Sequence, residues 1–279
     1  MFSFFLVMKA EVVRTFIIMR RYWFRTITGM IIGYGMLMVL IAGFIYSRPM
    51  VEKGLTSLDN PAAATNFVLG FIIGMFAFGV VGMFTQGLQE MAQTGVLEQL
   101  CMSPHGLIFN FMARTAISSV MTVLSSSVMV GMVAFTVGGK LYFDALPVIA
   151  LLGLTFTNLL GFGFMVGGLV LVFKQVGQVA ILIRMGLFAL AVFAREEMLN
   201  QGWGLAALMH ILPITDAAIC LKHVLIYDQG RVTGNFVPVY THPSFFWLMI
   251  SCVAWTTLGV IVFKAMENLS RYKGTLGAY

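Results

Sequence analysis

Six long runs almost free of charge constrain this chain more than any other feature. They lie at 27–46, 63–85, 115–137, 145–173, 176–194 and 245–263. A helix rises ~1.5 Å per residue, so about 20 apolar residues cover the ~30 Å hydrocarbon layer of a bilayer. Buried strands are far shorter, so each run predicts a helix. Composition agrees: 59% of the 279 residues are hydrophobic and 10% are charged. A soluble chain carries roughly 25% charged residues. The fold class expected is therefore an all-α membrane protein with six transmembrane helices.

The formal net charge of +6 does not point to nucleic acid, because the basic residues are spread thinly around the apolar runs. Their distribution speaks instead to topology. With both termini inside, Arg48, Lys53, Lys140, Arg195, Lys222 and Arg231 lie outside, and the other 11 of the 17 lysines and arginines lie inside. Lys9, Arg14, Arg20, Arg21 and Arg25 form the densest block. Glu11, Arg14, Arg20, Arg21 and Arg25 stand where a cleavable signal would need its apolar core and cleavage site, so none is expected. The reading is a multi-pass protein of the inner or plasma membrane, with both termini cytoplasmic.

Residues 1–25 predict an amphipathic interfacial helix, and residues 26–279 a six-helix transmembrane domain. Phe5, Met8, Val12, Phe16, Met19 and Trp23 share an arc of roughly 80° at ~100° per residue. Arg14, Arg21 and Arg25 lie opposite, a pattern suited to the headgroup layer. Residues 86–113 form the inner segment. The largest interruption, 195–244, falls outside. Its apolar pieces, divided by Pro213, are ~10 residues long, too short to cross, and predict re-entrant helices before the sixth span.

The inner segment reads Thr94-Gly95-Val96-Leu97-Glu98-Gln99-Leu100-Cys101-Met102-Ser103-Pro104-His105-Gly106. It resembles the loop between the second and third spans of type-2 ABC exporter permeases, where a Gly-x-Leu-Glu-Gln-Leu…Pro pattern recurs. Gly95-Val96 stands where that family often has Gly-Thr. The Leu212-Pro213-Ile214-Thr215 turn and the tail Lys273-Gly274-Thr275-Leu276-Gly277 are also similar to family segments. The resemblance implies a permease that pairs with a second copy or a paralogue, as homodimer or heterodimer. It also implies separate ABC ATPase subunits on the cytoplasmic side. The chain has no G-x-x-x-x-G-K-[ST] phosphate loop, so ATP and Mg are expected on the partner and no cofactor on this chain. By itself the chain is not expected to be an enzyme.

Within that frame Glu98, with Glu90, Gln99 and Pro104, would couple to the ATPase; otherwise both glutamates are solvated helix carboxylates. Arg184 falls inside a span, where a charge must face protein, face a water-filled path or snorkel. It is a candidate pathway residue together with Asn158. Pro213 and Asp216 mark the outer re-entrant turn, with Asp216 able to cap a short helix. Ser118, Ser119, Ser125, Ser126, Ser127, Thr155 and Thr157 could line a polar route or bond their own helices. The small pairs Gly29/Gly33, Gly70/Gly74 and Gly163/Gly167 would allow close helix contact. His105, His210, His223 and His242 are scattered, without metal spacing, and Cys101, Cys220 and Cys252 predict no disulfide. No catalytic constellation is visible.

The expected function is the permease subunit of an ATP-driven exporter. The apolar spans lean toward a hydrophobic, lipid-like or drug-like substrate, with a lipid-linked glycan as the alternative. A rival class, the ion-coupled secondary transporter, would need intramembrane carboxylates and an inverted repeat. The spans are almost free of acids.

Overall fold

The computed structural model describes residues 2–46, 61–101, 106–137, 144–173, 177–199, 202–226 and 238–272. These residues are helical almost throughout. The chain opens with α1 (Phe2–Arg21) and α2 (Trp23–Tyr46), then α3 (Pro61–Gly82). A π turn, Met83–Gly87, carries α3 straight into α4 (Leu88–Gln93), followed by α5 (Val96–Cys101). The long helices α6 (Gly106–Val137) and α7 (Ala145–Val172) come next, then α8 (Gly177–Phe193). Three short helices follow: α9 (Glu196–Leu199), α10 (Trp203–Ile211) and α11 (Thr215–Leu225). A 3₁₀ turn at Val239–Thr241 leads into the last helix, α12 (Pro243–Tyr272).

Among the described residues four stretches are long and apolar enough to cross a bilayer: Asn66–Gln93, Ile108–Met129, Ala145–Val172 and Pro243–Tyr272. Six had been expected. The first and fifth expected spans fall on α2, whose 24 residues are enough to cross, and on α8; the described apolar stretches there, Thr26–Met36 and Gln178–Phe193, are shorter. The α8 helix has 17 residues, which reach about 25 Å at the usual rise, short of a full hydrocarbon layer.

Small residues decide how the helices meet. The α7 and α12 backbones meet at Gly161 and Gly259, where a Cβ on Gly259 would collide with the Gly161 carbonyl. Gly163 and Gly167 receive Phe84 of the π turn, and Gly70 and Gly74 receive the α8 backbone and Phe188. Two of the three glycine pairs are therefore seats for a neighbour. Gly29 meets nothing and Gly33 only the end of Met129. Phe84 is fully buried, with its ring 5.1 Å from Phe111 and 4.8 Å from Phe164, which in turn lies 5.1 Å from Phe263. Each such pair adds about 0.5–1.5 kcal/mol beyond its burial. The cluster ties the π turn to α6, α7 and α12 at one level of the bundle.

The π turn has its own donors. Thr85 Oγ1 donates to the carbonyls of Val81 and Gly82, both at 3.3 Å. Arg184 Nε donates to the Phe78 carbonyl at 3.1 Å. Side chains that serve carbonyls around such a bulge compensate the interrupted ladder.

Candidate functional site

Two groups of polar residues mark the two ends of the bundle. At the α1 end, α4 and α5 fold against each other through Thr94 and Gly95. Gly95 has φ +72°, a left-handed conformation that a Cβ disfavours. Thr94 closes α4, its amide donating to the Glu90 carbonyl at 3.0 Å and its Oγ1 to the same oxygen at 2.9 Å. The glycine that opens the family-like motif is thus the residue that lets the chain turn back.

This hairpin shares a cleft of about 340 Å³ with α1 and the start of α6. Glu11 and Arg14 of α1 line one wall, paired at 3.0 Å, and Glu90, Thr94 and Arg114 line the others. Arg114 Nη1 donates to Met91 Sδ at 3.1 Å, a weak acceptor. Among the described α1 side chains Met8, Glu11 and Thr15 turn toward the protein, whereas Val12, Phe16 and Met19 are exposed. Glu90 and Gln99 are exposed. Glu98 lies on α5 but its side chain is outside the described residues, as is Pro104 altogether.

The α11 end is built around the Pro213 break. His210, at the end of α10, approaches Asp216 in the first turn of α11 at 2.9 Å. Asp216 does not cap α11, whose N-cap position is Ile214. Its carboxylate is buried, and burial raises its pKa to about 6 while the His210 partner opposes the rise. His210 in turn stacks on Trp247, ring centroids 4.8 Å apart and planes at 18°. Trp255 Nε1 donates to the Ile211 carbonyl at 2.9 Å, fastening α10 to α12.

Lys222, also on α11 and buried, closes the end of α8. Its Nζ donates to the carbonyls of Ala191 at 2.9 Å, Val192 at 3.1 Å and Ala194 at 2.9 Å. Three acceptors match the three N–H donors of the ammonium form, placed where the helix dipole favours a cation. Burial, then repulsion from Arg195, pulls the pKa down to about 7. The three carbonyls oppose that pull, because a neutral amine could satisfy only two of them.

A third polar group joins α9, α11 and the start of α12. Glu196 Oε1 lies 3.5 Å from His223 Nδ1 and 3.2 Å from His242 Nε2. The His223 hydrogen bond holds the Glu196 carboxyl below the usual range, against the effect of burial. His242, lowered chiefly by burial, accepts the Ser244 amide at Nδ1 (3.2 Å), so its side chain caps α12. These histidines, with no metal spacing in the sequence, are brought together with Glu196 into a set of three donor atoms, all within 4.8 Å of one another.

The intramembrane candidates are interior residues. Arg184 is buried with its guanidinium 3.7 Å from the Phe78 ring centroid and against Gly82, and its Nη1 has no partner among the described residues. Asn158 Nδ2 donates to Ser251 Oγ at 3.1 Å, and Oδ1 has no partner among the described residues. Thr155, Thr157 and Ser127 donate to the carbonyls of Leu151, Gly153 and Val123 in their own helices. Between α10 and α12 opens an almost wholly apolar cleft of about 610 Å³, lined among others by Trp203, His210, Trp247, Ile250, Trp255 and Leu258.

The sequence profile of the family described as ABC-2 type transporter matches residues 7–224. No curated protein and no solved structure matches the chain significantly.

Proposed function

The chain belongs to the ABC-2 type transporter family, a multi-pass membrane transport component, and from that premise we propose that it is the permease of an ATP-driven exporter. In this reading six helices span, α2 and the shorter α8 included, and both termini are cytoplasmic. Separate ABC ATPase subunits bind ATP and Mg and dock at the α1 end, and a second copy or paralogue completes the pathway. The α2 and α8 helices leave Ile31, Ile32, Met36, Leu182 and Met185 exposed, surfaces suited to lipid or to that second permease. The α10–α11 hairpin is re-entrant and closes the outer end.

The observation that carries this reading is the continuity of α3 through the π turn into the α4–α5 hairpin. A push on α5 is passed through Gly95 and α4 to Phe84, which is packed against α6 and α7. The hairpin is therefore joined to the spans by packed side chains instead of a loose loop. The apolar cleft beside three tryptophans supports a hydrophobic, lipid-like or drug-like substrate over a glycan.

Glu98→Lys tests the coupling. It reverses a charge on α5 and leaves the apolar spans untouched, so insertion and permease pairing should survive. Loss of one charge at a desolvated contact costs ~2–5 kcal/mol, against much less at a rim. Subunit retention on purification, ATP hydrolysis and vesicle export are the measurements. Docking should weaken, or hydrolysis should cease to drive export. Wild-type retention with wild-type export would remove Glu98 from the contact.

A further inference from the structure

We propose that Glu196, His223 and His242 form a binding site for a divalent transition-metal ion of the zinc type, closing the α11 end of the bundle. The three residues come from three elements: the first residue of α9, the last turn of α11 and the N-cap of α12. Two imidazoles and a carboxylate are a donor set suited to borderline cations such as Zn²⁺ or Co²⁺ and poorly suited to Ca²⁺ or Mg²⁺, which take oxygen.

Geometry supports the assignment. A tetrahedral ion bonding N and O at ~2.0–2.1 Å sets its ligands about 3.4 Å apart. Glu196 Oε1 stands 3.2 Å from His242 Nε2 and 3.5 Å from His223 Nδ1. The rings of His223 and His242 lie 5.1 Å apart, tilted by 41°, so both can turn a nitrogen toward one point. The widest separation among the three donor atoms is within 4.8 Å, and Glu196, about half exposed on a four-residue helix, is free to adjust. An exposed carboxylate also leaves a fourth position open to water.

The site has a built-in competitor. With its Nδ1 accepting the Ser244 amide, neutral His242 carries its proton on Nε2, aimed at Glu196. An ion at Nε2 displaces that proton, which moves to Nδ1 as the ring remains neutral, and the bond from the Ser244 amide is lost. Coordination therefore replaces one cap of α12 and ties α9, α11 and α12 to a common centre. Lys222, adjacent to His223, already ties α11 to α8. The ion would lock the same end from its other side.

The test uses the full chain in detergent or nanodiscs, stripped with chelator and freed of any affinity tag. Titrated with Co²⁺, the wild type should bind one ion per chain and develop the visible bands of a tetrahedral centre. Zn²⁺ should displace it and raise the thermal midpoint. Glu196→Gln and His223→Ala should each weaken binding by at least about tenfold, the loss that even outer-shell changes produce. His105→Ala, in the inner motif, should bind normally. Pulsed electron paramagnetic resonance on the Cu²⁺-loaded wild type needs no variant and should count two imidazole nitrogens. Absence of saturable binding, a wild-type signal with no imidazole pair, or full binding in the Glu196→Gln/His223→Ala double variant would overturn the site. Each of those results would leave a cluster that only shares protons.

Discussion

Asp216 is the most deeply buried acid among the described residues. It is 2% exposed, and burial lifts its pKa from 3.8 to about 6 despite the His210 partner. A carboxyl whose folded pKa is raised binds more protons folded than unfolded between those two values. Stability from this group is therefore highest below about pH 4 and declines as pH rises to about 6, by on the order of 2–3 kcal/mol. Asp216→Asn keeps an oxygen for His210 and removes the ionisation. The thermal midpoint of the variant should gain on the wild type between pH 4 and pH 6.5, with groups that do not touch Asp216 cancelling in the difference. A gap that stays constant with pH would mean that Asp216 does not titrate in this window. The pair itself could not be read from the sequence. His210 and Asp216 are six apart, beyond the spacing of neighbours on a helix, and only the Pro213 break folds one onto the other. The Glu196, His223 and His242 set was hidden for the same reason, since its members belong to three elements. Arg184, by contrast, declared itself by standing alone in an apolar run.

Among the elements, the α4–α5 hairpin makes the sharpest demand on one residue. Gly95 at φ +72° must be replaced at a cost of about 1–2 kcal/mol by an L residue with a Cβ. Asn tolerates this region better than Ala, because its short polar side chain bonds locally. Gly95→Ala should therefore open the turn and speed hydrogen exchange at the amides of 96–101. Gly95→Asn should restore most of the protection. Equal exchange in both variants and the wild type would mean that the turn adapts without strain. Much of this element was legible: the motif glycine, the helical character of 96–101 and its apolar face all stand in the sequence. The π turn was not. Nothing in Met83-Phe84-Thr85-Gln86-Gly87 breaks the helical period. The bulge arises from tertiary partners, Gly163 and Gly167 taking Phe84 and Thr85 serving two carbonyls. The division at Pro213 was legible because proline lacks an amide donor. Helices of 9 and 11 residues flank it.

For the molecule as a whole, apolar run length marked where the long helices lie, while their number as spans depends on α2 and on the shorter α8. At the end of α8 Lys222 holds three carbonyls, a contact from 28 residues or more along the chain. Run length alone cannot register that. Orientation rests on a different physical term, the bias of lysine and arginine toward the cytoplasm. Five basic residues precede the first apolar run, and α1, which carries four of them, shares a cleft with the α4–α5 hairpin. One end of the bundle thus gathers the basic block and the family-like motif, and the other gathers α10 and α11. If the bias governs insertion, the segment 227–237 faces out and the tail after Tyr272 faces in. Single cysteines at Asn235 and Thr275 test this, in a chain with Cys101, Cys220 and Cys252 replaced. A membrane-impermeant thiol reagent added to intact cells should label position 235, and position 275 only after permeabilisation. Labelling of 275 in intact cells with protection of 235 would invert the molecule. The α1 end would then face away from any cytoplasmic ATPase, and the coupling role proposed for α5 would fall with the orientation.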